Sequence, residues 1–209
     1  MIDVKEQISE VRRELGTRVL EAGEARVVTI SQAYDTDLDD LWDVVSDASR
    51  IARWFLPISG ELREGGKYQL EGNAGGTITR CDRPHGYDAT WEFGGGISWI
   101  EVRLIPEGPS RTRFSLSHIA HVDDHWEQYG PGAAGIGWDS GMLGLTLHLS
   151  DPAAPRDDDA IMAWMGSPDG ALFMRLSGDA WAEADIAAGE DPETARRRAA
   201  ATYAFYTGT

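Results

Sequence analysis

Hydrophobic and polar positions change their spacing from block to block along the chain. Over residues 2 to 20, Ile2, Val4, Ile8, Val11, Leu15 and Val19 form one stripe at helical spacing among Lys, Glu and Arg. This predicts an amphipathic N-terminal helix in the 1–24 segment, docked on its own domain or on a second copy of the chain. Residues 25 to 34 (ARVVTISQAY) are β-branched and partly alternating, as in a strand. Thr36-Asp37-Leu38-Asp39 has the form of a capping box, which opens a helix through Leu41, Trp42, Val44 and Val45. A second short helix covers residues 49 to 55 and ends before Pro57.

From Ile58 to Val122 the period becomes two, with glycine- and proline-rich turns between the runs. Strands are predicted at 58–63, 67–71, 76–82, 87–93, 97–105 and 111–121, joined as hairpins. One face of the last three carries Ala89, Trp91, Phe93, Ile100, Val102, Leu104, Phe114 and Leu116, while Asp88, Thr90, Glu92, Glu101, Arg103, Arg113 and Ser115 alternate onto the other. Residues 123 to 129 predict a short helix, and Gly130-Pro131-Gly132 breaks it before the most apolar run of the chain.

That run, Gly132 to Leu149, holds Ile136, Trp138, Met142, Leu143, Leu145, Leu147 and Leu149, which is too apolar for a free surface helix. Its 18 residues make a helix of ~27 Å, long enough to cross a small domain. The expected architecture is α+β: a curved antiparallel sheet of six to seven strands wrapped around this long helix, with a cavity between them. Residues 151 to 159 (DPAAPRDDD) predict a surface linker, and Ser167-Pro168 and Asp191-Pro192 each place a cap before a first-turn proline. Two terminal helices follow, at 168–188 and 192–206.

Composition narrows the partners. A net charge of −16 disfavours nucleic acid and anionic membranes, because both are bound through clustered Lys and Arg. The lone Cys81 excludes an internal disulfide, no signal peptide opens the chain, and the apolar run carries Asp139 and His148 at only 18 residues. These features fit a soluble, cytoplasmic protein of 25–150 core domain and 151–209 helical extension.

The order strand, two helices, meander, long helix resembles the START-like or SRPBCC superfamily, whose fold is the helix-grip. Within it the chain is similar to homologues of the activator of the heat-shock protein 90 ATPase. The resemblance rests on Leu41 to Asp47 (LWDVVSD) with Arg53-Trp54-Phe55, Gly65-Gly66-Lys67-Tyr68, Ala89-Thr90-Trp91-Glu92, Thr112 to His118 (TRFSLSH) and Gly137-Trp138. It covers about 25 to 150 and implies a fold and a cavity more than a chemistry, since superfamily members include lipid binders, cyclases and co-chaperone domains.

Several motifs carry two readings each. Gly130-x-Gly132-x-x-Gly135 matches a dinucleotide fingerprint, but a helix precedes it where a parallel strand is required, so a hinge between helices explains it better. His121-Val122-Asp123-Asp124-His125 gathers four metal-ligating side chains, yet a strand-to-helix corner capped by Asp123 or Asp124 would scatter them. No metal and no cofactor are expected. His118 follows Phe114 and Leu116 at spacing two and so faces inward, as an acid–base group or as a hydrogen-bonded wall residue. Its candidate neighbours are Arg80, Cys81 and Asp139. Trp42, Tyr68, Trp91, Phe93, His118, Trp138 and Met142 either line a ligand cavity or fill a core. Nucleophile-elbow, P-loop and HExxH motifs are absent. The leading expectation is binding of a small hydrophobic molecule. The alternatives are a cyclase-, dehydratase- or hydrolase-like enzyme using His118, and a module that docks a chaperone or an identical subunit.

Overall fold

The computed structural model describes residues 3–208. Its elements run α1 (Val4–Glu10), β1 (Arg12–Leu20), β2 (Gly23–Tyr34), α2 (Leu38–Ser46), α3 (Ala48–Trp54), β3 (Ile58–Gly60), β4 (Lys67–Leu70), β5 (Gly75–Asp82), β6 (Gly86–Phe93), β7 (Gly96–Gly108), β8 (Arg111–His121), α4 (Asp124–Tyr129), α5 (Gly132–Ser150), α6 (Asp158–Met165), α7 (Pro168–Ala187) and α8 (Pro192–Thr207). The strands form one eight-stranded sheet in the order β1-β2-β8-β7-β6-β5-β4-β3, in a helix-grip fold.

The eighth strand corrects the N-terminal expectation. Helix α1 stops at Glu10, Val11 is already extended, and Arg12–Leu20 forms β1. Gly16 inside this run costs a helix about 1 kcal/mol, and Gly23, at φ 124°, follows the turn at 21–22 that returns the chain along β2. Ile2, counted in the helical stripe, lies outside the described residues. Two smaller corrections concern caps and linkers. Asp37, one residue after the expected Thr36, caps α2 by accepting from Asp40 N at 2.9 Å, and Thr36 Oγ1 donates instead to the Asp40 carboxylate at 2.8 Å. The acidic end of the expected linker becomes the cap and first turn of α6. Ser167 and Asp191 cap α7 and α8, with a proline in each first turn, in agreement with the sequence reading.

The chain divides into two compact units, one of Met1–Ile30, His121–Leu143 and Asp157–Thr209, the other of Ser31–Ala120 and Gly144–Arg156. In the first, Val4, Leu143 and Phe173 form a core joined by Ile8, Trp164, Leu172 and Leu176. Gly135 of α5 is a glycine for a steric reason, since a Cβ there would stand 2.3 Å from the Trp181 indole. Arg198 ties α8 to α4 by donating to Glu127 at 2.8 Å, and reaches Glu190 at 2.7 Å. The most buried charges of this unit are Arg13 and Asp139, paired at 2.7 Å with side chains 5% and 1% exposed. Asp139 Oδ2 also accepts from Arg13 Nε at 3.1 Å, Ser177 Oγ at 2.6 Å and Trp181 Nε1 at 2.9 Å. One carboxylate thereby joins β1, α5 and α7.

The second unit is the meander with α2, α3 and the last turns of α5. Strands β3 to β8 pair antiparallel with their neighbours in chain order. Leu41, Val44 and Val45 of α2 are buried. Trp54 Nε1 of α3 donates to Val44 O at 3.0 Å. The end of α5 is held by Gln32 Nε2 donating to Thr146 Oγ1 at 3.2 Å, and by Gly144, where a Cβ would meet Trp54 O at 2.1 Å. Leu145 is fully buried here, whereas Leu147, expected to be wrapped, is 47% exposed.

Candidate functional site

Cross-strand register assembles the site from three neighbouring strands of the second unit. Tyr87, Ala89 and Trp91 of β6 stand opposite Val102, Ile100 and Ser98 of β7, and Ile100, Val102 and Leu104 stand opposite His118, Leu116 and Phe114 of β8. Directly paired residues share a face, so these side chains form one surface. Helix α2 covers part of it, for the Tyr87 ring meets Trp42 edge-on at 6.4 Å and the Tyr87 hydroxyl donates to Val45 O at 3.4 Å. The opposite face carries charge: Arg103 pairs with Asp88 and, at 3.8 Å, with Glu101, and Arg113 pairs with Glu107 at 2.7 Å.

Exposure along the covered face changes in one direction on all three strands. Ala89, Ile100 and Leu116 are 1%, 6% and 4% exposed, and two residues further along each strand Trp91, Ser98 and His118 are half-buried. At that end the face changes from aliphatic to aromatic and polar. Ser98 Oγ lies 2.8 Å from His118 Nε2 and 3.1 Å from Trp91 O, and the Trp91 and His118 rings are 6.1 Å apart at 58°. Although part of His118 meets solvent, burial pushes its imidazole down to about 4, so it is neutral at physiological pH.

The other sequence-predicted site residues distribute as follows. Tyr68, on β4, is buried and donates from its hydroxyl to Thr90 O at 2.7 Å, and burial holds that phenol well above its ordinary pKa. Trp42 is buried in α2. Phe93, expected to point inward, is 60% exposed beside the Gly94-Gly95 turn, because β6 ends there. Trp138 and Met142 are buried on the part of α5 that belongs to the first unit. The proposed neighbours of His118 are engaged elsewhere or exposed: Arg80 pairs with Asp82 at 2.7 Å, Cys81 is exposed, and Asp139 is held by Arg13. Ser98 was the residue missed. Its position two before Ile100, on the same side of a period-two strand, was the available signal.

The remaining motifs have local structural roles. Asp123 caps α4 by accepting from Trp126 N at 2.8 Å, His121 Nδ1 sits 3.1 Å from Glu24 O, and the His125 ring lies tilted against Tyr129 at 4.8 Å. Among the described residues no three His, Cys, Asp or Glu are arranged to hold a metal. Gly130, at φ 61°, caps α4 as the expected break between helices. No helix among the described residues is long and apolar enough to cross a membrane.

Comparison with known proteins agrees with this architecture. No curated protein matches the chain. The crystal structure of CalU16 from Micromonospora echinospora is 32% identical, over 83% of this chain and 97% of that one, with a TM-score of 0.68. The solution structure of CalU16 gives 34% identity, coverage of 86% and 97%, and a TM-score of 0.70. A conserved protein of unknown function from Enterococcus faecalis, EF2215, is 14% identical, over 90% of this chain and 96% of that one, with a TM-score of 0.59, and shares the fold alone. Residues 35–146, which contain α2, the meander and the Ser98–His118 pair, match the family described as Activator of Hsp90 ATPase homolog 1-like protein. The chain belongs to that family, a branch of the START-like proteins.

Proposed function

We propose that this protein binds a small hydrophobic molecule at the accessible end of the covered sheet face, where Trp91, Ser98 and His118 meet. The observation that carries the reading is the change, in the same direction on β6, β7 and β8, from buried aliphatic side chains to half-buried aromatic and polar ones. Ligand sites are mainly apolar surfaces with a few placed polar groups, and this end has that composition. A neutral His118 suits binding better than proton transfer, because an imidazole near 4 is a weak base at neutral pH. The test is a melting-temperature series with lipids, polyketides and aromatic compounds, beside native mass spectrometry of protein from its host. A bound compound, or a rise in melting temperature with ligand concentration, supports the reading. A flat response across the series with no bound mass contradicts it.

Family membership favours a second reading, a protein partner of the chaperone class. Its check is the ATPase rate of a heat-shock protein 90 preparation with and without this chain, where an unchanged rate removes it.

A further inference from the structure

The hydrogen-bonding capacity of Ser98 points to the kind of molecule that would bind. A hydroxyl has one proton and two lone pairs. Ser98 Oγ has two neighbours, Trp91 O at 3.1 Å, which can only accept, and His118 Nε2 at 2.8 Å, which donates or accepts according to tautomer. If the proton goes to Trp91 O, one lone pair takes the Nε2–H and one lone pair is left over. If it goes to Nε2, both lone pairs are left over. In either tautomer the serine oxygen keeps acceptor capacity. The other hydroxyls of these three strands' covered side are turned to helix α2 or buried: the half-buried Tyr87 packs edge-on against Trp42 and donates to Val45 O, and Thr112 is fully buried and donates to Thr36 O at 3.0 Å. Ser98 combines a leftover lone pair with partial exposure at the end of the face where Trp91 and His118 stand.

Charge narrows the ligand further. On the covered face of β6, β7 and β8 the polar side chains near this end are Tyr87, Ser98 and His118, and none of them carries a formal charge at neutral pH. A carboxylate brought there would lose its water without gaining a cation.

Resting on the ligand-binding reading above, we propose that the site selects an uncharged, largely apolar molecule bearing a hydroxyl donor, a phenol or an alcohol, whose proton is accepted by Ser98 Oγ. The probes are 2-naphthol, 2-methoxynaphthalene and 2-naphthoate, titrated calorimetrically at pH 7 into the full chain and into Ser98→Ala. The naphthol is expected to lose about three- to tenfold in affinity on Ser98→Ala, the value of one hydrogen bond. The methoxy compound, matched in ring but lacking the donor, is expected to be unchanged, and naphthoate to bind the full chain more weakly than either. Equal losses for naphthol and methoxynaphthalene, no loss for naphthol, or tightest binding of naphthoate overturns the inference while leaving ligand binding intact. Failure of all three probes to bind either form counts against the ligand-binding reading itself and takes the inference with it. Should Ser98→Ala fail to fold, the wild-type series decides: naphthol tighter than naphthoate upholds the inference, and the reverse order ends it.

Discussion

Asp139 and His118 are both polar groups set among apolar side chains, and they differ in how completely they are satisfied. Asp139 is 1% exposed and receives four donated hydrogen bonds, two from Arg13 and one each from Ser177 and Trp181. His118 is half-buried, neutral, and bonded to a serine that has acceptor capacity to spare. A buried charge is tolerated only when its lone pairs are filled, so a saturated carboxylate reads as an internal fastening. A neutral serine oxygen with spare acceptor capacity at a surface end reads as a place for something else to bind. Burial of a polar residue alone does not separate the two cases. Its leftover capacity does.

The largest effect expected from breaking this contrast is Asp139→Ala, which leaves the Arg13 guanidinium buried and unpaired and should cost about 3–5 kcal/mol in urea unfolding. Replacing both partners with apolar residues, Arg13→Met with Asp139→Leu, should recover much of that loss. If the single change costs under about 1 kcal/mol, the fastening role is wrong.

The next effect is on pH. In the unfolded chain His118 titrates near its ordinary 6.5, but in the fold near 4, so the unfolded state binds the extra proton between those values. Its contribution is therefore fully present above pH 6.5 and is lost as pH falls through 4, by about 3 kcal/mol in all. His118→Gln should flatten that part of the stability curve, measured by urea midpoints from pH 4 to 7. An unchanged slope in the variant would assign the acid sensitivity to other groups.

The smallest effects come from the two serines. Ser177 donates to a carboxylate at 2.6 Å and is fully buried, so Ser177→Ala should cost about 2 kcal/mol. Ser98 bonds only neutral groups at a half-exposed position, so Ser98→Ala should cost about 1 kcal/mol or less. The reverse order of melting temperatures would undo the distinction.

Much of the architecture was legible because it depends on local periodicity. Alternation from Ile58 to Val122, punctuated by glycine turns, located the strands and placed Ala89, Ile100 and Leu116 on one face. The apolar run of α5 and the Pro-preceding caps at Ser167 and Asp191 were equally local signals. β1 was not legible, because Val11, Leu15 and Val19 fit a helical stripe and also share one side of an extended chain, and pairing with β2 decides between them. Phe93 kept its alternation but ran past the end of the covered face. His118 could be placed inward from spacing alone, whereas its bond to Ser98 depends on diagonal register across two strands. The Asp139 fastening was beyond reach, since Arg13 is 126 positions away.

The interleaved make-up of the two compact units bears on how this protein can be dissected. Neither unit is a single stretch of chain, and both β2 and α5 begin in one and finish in the other. A gene shortened after Arg156 would delete Ser177 and Trp181 while keeping Asp139, stripping that carboxylate of two of its donors. The terminal helices are thus no detachable accessory, and a truncated clone that lost binding would report a damaged scaffold instead of a missing binding partner.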